Sequence, residues 1–300
     1  MLCIWLNLLP KSINKDSLVS EFLETFSVVK EAEIKITRNA YINLRAQFKP
    51  LLPSGKHSSG YSSCLCLLTR NSVCEIEDWL QEYGHESMCI NVAQPFFYIT
   101  AEKKETETLK EILFNTNSLH FLKYGKPFKY SKAWNLCREF KETLEKTGEN
   151  LNDYIIETSM VLAMYGVREA NDLDYSTASD KEVHFSNDKI DKHSVYYQHF
   201  YDCPVSSLIK DSANYFVFNG LKFVSIDKLL QYKELRYKKE REYKDRVDVR
   251  LLTKLMQGGN TLSYDFLRIQ LIAHHAWKKN INKIKDFVKS VLIRMKIYKC

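Results

Sequence analysis

TSMVLAMYGVREANDLDY, residues 158–175, places two acids, Asp172 and Asp174, one residue apart directly after an apolar, helix-like run. In a strand, residues i and i+2 point to the same face, so the two carboxylates stand side by side, roughly 7 Å apart at the backbone. Like charges that close are costly unless a cation lies between them. Hard oxygen donors in this arrangement suit Mg²⁺ or Mn²⁺, ions that clamp nucleotide phosphates. The plainer alternative is that Asp172 caps the strand entrance and Asp174 is a solvated edge residue. The preceding residues favour the first reading. Ser159 stands at the start of a helix, where backbone N–H groups and the positive dipole end favour phosphate. Gly166 ends that helix, and Arg168 projects near the acids as a second phosphate contact.

Working outward, the pattern predicts an α+β fold. Residues 151–165 read as a short strand, a turn and a helix with Met160, Val161 and Met164 inward, and NDLDYST follows as a strand. NYFVFNGLKFVSI reads as two strands joined at Asn219-Gly220, a strong hairpin signal. A helix capped by Ser225 or Asp227 comes next, then YKDRVDVRLLTKLMQ as another. In the first half, SSCLCLLTR, SVCEIEDWLQEYG and SMCINVAQPFFYI read as strand, helix and strand. KETETLKEILF places Leu109, Ile112 and Leu113 on one helical face before Asn115 and Asn117 break it. YSKAWNLCREFKETLEKTG is a helix running from a Ser131 cap to Gly148. These readings divide the chain into an α/β region at 1–149, a mixed-sheet domain with flanking helices at 150–258, and a basic helical extension at 259–300.

On these motifs residues 150–258 resemble the nucleotidyltransferase superfamily, the minimal DNA polymerase β-like fold. Its members show a Gly-Ser turn opening a helix, about a dozen residues, then D-h-D on the next strand, which fits Thr158-Ser159 and Asp172-Leu173-Asp174. Gly220 to Ser225, Lys233, and Lys244-Asp245 with Asp248 resemble the later motifs of small members. The resemblance implies Asp172 and Asp174 as catalytic and metal-binding residues for Mg²⁺ or Mn²⁺. It implies Ser159, Gly166, Arg168, Lys233 and Lys244 as nucleotide-binding, with Lys233 facing the cleft. Asp245 and Asp248 are expected to pin the last helix through a cap and a salt bridge. The implied reaction moves a nucleotidyl group from a nucleoside triphosphate to a small-molecule acceptor. A weaker upstream resemblance, over TETLKEILFNTNSLHFLKYGKPF, is to bacterial and viral proteins associated with surface-glycan synthesis and suggests a glycan precursor. The sequence departs from the pattern twice. Thr158 stands where the family has Gly, and a side chain there obstructs close approach of a triphosphate. A third carboxylate, expected on a later strand, is not evident; DCPVSSLIKD offers Asp202 and Asp211. Two alternatives follow: a catalytically degenerate binding or scaffold module of the same fold, and an RNA-directed nucleotidyltransferase served by the basic C-terminal segments.

Bulk composition sets the frame. Three hundred residues with 45% apolar content, 9 Gly and 6 Pro describe a globular chain that buries a sizeable core. The formal net charge of +7 concentrates in 233–246 and 277–299 and favours phosphate-bearing partners, although a solvated lysine-rich helix face looks the same in sequence. Eight cysteines without C-x-x-C spacing read as buried or idle thiols of a reducing compartment. MLCIWLNLLP has no basic n-region or small-residue cleavage site and reads as a strand or short helix. With no run of eighteen apolar residues, the expectation is a cytoplasmic protein without a membrane span. The histidines lack metal-ligand spacing and read as surface or core residues, with His193 an acceptor-side base at most. No G-x-S-x-G elbow or P-loop appears.

Overall fold

The computed structural model describes residues 1–5, 14–47, 62–71, 73–82, 97–100 and 102–258, with individual helical residues between 264 and 285. The chain divides into two units, Met1–Leu229 and Leu230–Cys300. The fold class is α+β, as the sequence predicts.

The first unit holds two sheets. The N-terminal one comprises β1 (Leu2–Trp5), β2 (Val28–Ile36), β3 (Ser62–Thr69) and β4 (Phe97–Ile99), antiparallel in the order β2-β3-β1-β4. Its helices are α1 (Lys15–Thr25), α2 (Arg38–Gln47) and α3 (Val73–Glu82). Alternation along β1 and β3 sends Leu2, Ile4, Leu65 and Leu67 to one face, where they pack with Leu18 and Phe22 of α1 and Ile76 of α3. Cys3, Cys64 and Cys66 go to the other. Strand β3 and helix α3 agree with the sequence reading; Gly84 and residues 87–96, read as a helix stop and most of a strand, lie outside the described residues.

Three helices connect the sheets: α4 (Lys103–Leu113), α5 (Thr116–Tyr124) and α6 (Ser131–Lys146). Leu109, Ile112 and Leu113 are buried on one face of α4, as their spacing predicts. Asn115 does more than break that helix. Its side chain accepts from the N–H groups of Asn117 and Ser118 and so caps a second helix, α5. Its amide also donates to the carbonyls of Ser212 and Tyr215. Asn39 and Asn43 of α2 donate to the carbonyls of Leu122 and Gly125, satisfying the otherwise open end of α5. Ser131, expected as a cap, is instead the first helical residue of α6 after Tyr130.

The second sheet carries the motif. It comprises β5 (Tyr154–Ile156), β6 (Leu173–Thr177), β7 (Ile190–Lys192), β8 (Tyr215–Phe218) and β9 (Leu221–Val224), in the order β7-β6-β5-β9-β8. Strands β5 and β6 pair antiparallel, β5 with β9 and β6 with β7 parallel. The β8–β9 hairpin closes through Asn219 and Gly220, both left-handed at φ 54° and 76°, as a two-residue primed turn requires. Three short helices complete the unit: α7 (Thr158–Met164), α8 (Val195–Gln198) and α9 (Val205–Lys210). The register assigns one sheet face to Tyr175, Phe216 and Phe223, which pack with Phe121 of α5 and Phe140 of α6. The opposite face receives Asp174, Ser176, Asp191 and Lys222.

Helix α10 (Ile226–Glu240) starts at the end of the first unit, with Ser225 Oγ accepting from the Lys228 N–H, which settles the choice of cap. Helix α11 (Tyr243–Met256) follows in the second unit after Arg241, at φ 56°. Lys233 of α10 is 1% exposed, and its ammonium lies 2.8 Å from Asp245 and 3.1 Å from Asp248 of α11. Arg236 adds a contact to Asp245 at 3.3 Å. Most of the basic segment 277–299 lies outside the described residues. Among the described residues no helix is long and apolar enough to cross a membrane.

Candidate functional site

The strand–turn–helix at 154–164 is built for burial. All seven residues of α7 are buried, which explains why its sequence is apolar nearly all round. Helix α7 ends in a Schellman arrangement: the Gly166 N–H bonds Ala163 O and the Val167 N–H bonds Leu162 O. Gly166 sits at φ 67°, its carbonyl accepts from Lys129 Nζ at 2.7 Å, and a Cβ there would lie 2.7 Å from Lys126 Cβ. Only glycine fits. Gly166→Ala is expected to cost about 1–2 kcal/mol from the left-handed backbone alone, with the Lys126 contact adding to it. Gly148 provides the control, at φ 71° with nothing within 4 Å of a Cβ. Thermal unfolding should show a clearly larger loss for Gly166→Ala than for Gly148→Ala; equal losses would mean that Lys126 yields without cost.

The first two residues of α7 reach both acids. Thr158 Oγ1 donates to Asp174 Oδ2, and Ser159 Oγ donates to Asp172 Oδ1 at 3.2 Å. Thr158 adopts φ 53°, the left-handed region that β-branched residues avoid. The Glu157 N–H bonds Asp174 O at 2.9 Å, so β5 and β6 stay paired up to the turn. Asp174 is half-buried on β6, whereas Asp172 precedes the strand and is exposed.

Two residues beside this pair were not placed by sequence reasoning. Asp191 of β7 is the parallel register partner of Asp174, so their side chains leave one face from adjacent strands. Its strand has three residues in a polar stretch, too short for periodicity to mark. Glu157 is fully buried, and its Oε2 lies 2.6 Å from His193 Nδ1. The other oxygen, Oε1, has no hydrogen-bond partner among the described residues. His193, 8% exposed, is held from both ends of the chain segment, because its N–H bonds Tyr175 O and its carbonyl accepts from Gln198. The acids offered by sequence for a third carboxylate are engaged elsewhere: Asp202 is exposed and paired with Lys228, and Asp211 caps the turn at 212–214.

No family model, curated protein or solved structure matches this chain.

Of the residues expected to hold phosphate, Ser159 is beside the acids, while Gly166 shapes the helix end and is backbone architecture. Arg168 is buried, with Nη1 donating to Glu169 O. Lys233 and Lys244 belong to the second unit, where the Lys233 ammonium neutralises Asp245 and Asp248; those two aspartates hold α11 through the expected salt bridge, but neither caps it, because both lie inside the helix and its N-cap is Glu242. A groove of about 370 Å³ runs beside Asn171, the neighbour of Asp172, with Lys132 of α6 and Lys189 on its walls. The donor chemistry of Asp172 and Asp174 fits a hard divalent cation. The fit is incomplete in number, because the only three ligand atoms found mutually within 4.8 Å among the described residues are thiols.

Proposed function

We propose that this chain is a metal-dependent nucleotidyltransferase that moves a nucleotidyl group from a nucleoside triphosphate to a small-molecule hydroxyl or phosphate. One observation carries the reading: a left-handed turn after β5 presents two consecutive hydroxyls, each bonded to one carboxylate of the D-x-D pair. The left-handed φ of Thr158 falls at the position that the resemblance aligns with glycine, which supports the reading. Asp172 and Asp174 would hold Mg²⁺ or Mn²⁺, which supplies charge neutralisation to the phosphates when bound. Thr158 and Ser159 orient the carboxylates. Lys132 and Lys189, on the groove beside Asn171, supply positive charge for phosphate or an anionic acceptor. Glu157 holds His193 through Nδ1 and so fixes the ring of the residue that the sequence offers as an acceptor-side base. The acceptor class follows the weaker resemblance, a glycan precursor.

A second reading has its own support. The Thr158 hydroxyl occupies an oxygen of Asp174, and Asp191 stands next to the pair without closing a three-carboxylate cluster. Both features suit a nucleotide-fold module that binds without turnover.

Calorimetric titration of the four nucleoside triphosphates with Mg²⁺ separates these readings. Wild type is expected to bind in a metal-dependent way, and the Asp172→Ala/Asp174→Ala variant to lose binding by tenfold or more. Thr158→Gly should bind the metal–nucleotide complex more tightly than wild type, because it frees Asp174 and relaxes the backbone. Binding without nucleotidyl transfer to any hydroxyl acceptor selects the silent module. Absence of metal-dependent binding in wild type and Thr158→Gly alike would sink both.

A further inference from the structure

The N-terminal sheet contains a second cluster of reactive side chains, remote in chemistry from the carboxylates. Cys3 of β1 is the cross-strand partner of Cys66 of β3, and Cys64 lies two residues along the same strand. Register and alternation therefore send all three to one face. Their sulfurs meet: Cys3 to Cys66 is 3.7 Å, Cys64 to Cys66 is 3.8 Å, and all three lie within 4.8 Å of one another. The side chains are 0%, 2% and 0% exposed. The cysteines are free, and a sulfur–sulfur bond would need about 2.05 Å.

The two shorter separations match those between thiolates that share one metal ion. With metal–sulfur bonds near 2.3 Å, two thiolates of a tetrahedral set lie about 3.8 Å apart and two of a trigonal plane about 4.0 Å apart. The set contains sulfur alone, with no carboxylate or imidazole among its members. Soft donors of this kind select thiophilic d¹⁰ cations and reject Mg²⁺ and Mn²⁺. Packing alone does not require the arrangement, since Leu2, Ile4, Leu65 and Leu67 on the opposite face of the same strands fill their core with hydrocarbon.

We propose that Cys3, Cys64 and Cys66 form a structural site for a thiophilic d¹⁰ cation, Zn²⁺ or Cu⁺, bound through three thiolates. Binding forms three metal–sulfur bonds and releases three thiol protons to solvent, so affinity rises with pH. The ion would cross-link β1 to β3 and stabilise the N-terminal sheet by mass action. This site is independent of the nucleotidyltransferase reading.

The test uses the full chain, reduced and free of oxygen. It is titrated separately with Zn²⁺, with Cu⁺, and with Cd²⁺ as a spectroscopic stand-in for zinc. One equivalent of Zn²⁺ or Cu⁺ should bind and raise Tm, and Cd²⁺ should give an ultraviolet thiolate-to-metal charge-transfer band. Proton release on binding should approach three per ion at low pH. The arm that binds tighter in competition with a chelator identifies the ion. Cys3→Ser/Cys64→Ser/Cys66→Ser should lose the band and the Tm response, whereas Cys74→Ser/Cys137→Ser/Cys203→Ser should keep both. If the first variant does not fold, thiol alkylation mapped by mass spectrometry on wild type replaces it: metal should slow alkylation at Cys3, Cys64 and Cys66 selectively. Sub-stoichiometric binding with no band, or protection that maps to other cysteines, would overturn the proposal.

Discussion

Lys233→Ala is expected to destabilise the helical unit by about 3–5 kcal/mol, the cost of removing one partner from a desolvated ionic cluster. The ammonium is 1% exposed, and Asp245 and Asp248 are equally sequestered, so neither carboxylate can recover its hydration without opening the α10–α11 contact. Arg236, 3.3 Å from Asp245, softens the loss at that residue without replacing a fully buried cation. The effect should be non-additive. Lys233→Met/Asp245→Asn/Asp248→Asn removes every formal charge of the triad, and it should be less destabilised than Lys233→Ala, because neutral isosteres avoid the uncompensated charge. Urea unfolding followed by far-ultraviolet circular dichroism measures both. A single-variant loss under 1 kcal/mol would show that water reaches the triad in solution.

Phe216→Ala is expected to cost a similar amount, about 3–5 kcal/mol, through lost transfer energy and the cavity left behind. Phe216 is fully buried in β8 and stacks on two near-parallel rings: Phe121 of α5 at 4.5 Å and 14°, and Phe223 of β9 at 5.1 Å and 10°. Truncation therefore opens a gap between a connecting helix and the sheet that carries Asp174, and the lost stacking on both rings adds to simple burial. Phe216→Leu retains most of the volume and should lose clearly less. If the two substitutions cost the same in thermal unfolding, the ring stack is not what seats α5 on the sheet. A nucleotide-binding assay on Phe216→Leu adds a functional arm: unchanged binding is expected, because this face of the sheet is opposite the acids.

Helices α4, α6, α10 and α11 could be read in the sequence because each buries one stripe at helical spacing, and β8–β9 because Asn-Gly permits two consecutive left-handed residues. Helix α5 was missed where Asn115 looked like a terminator. Asparagine both stops one helix and caps the next, and the sequence does not distinguish these roles. Short elements were missed for a related reason: β7 has three residues, and α8 and α9 have four and six, too few for a period to emerge. Strand β2 was missed as well, because it alternates charged with small or apolar residues at an edge of the sheet and buries little.

The site divides along the same line. Local sequence determined that Asp172 and Asp174 follow a strand, a turn and a buried helix, since spacing and apolarity are properties of neighbours in the chain. Tertiary structure alone decided that Thr158, though not glycine, takes the left-handed turn and bonds Asp174, and that Asp191 rather than Asp202 or Asp211 stands beside the pair. It likewise decided that Glu157 meets His193 across 36 residues and that Cys3 meets Cys66 across 63. Strand register sets these encounters, and register is fixed by packing between distant segments, so no local window of sequence contains it.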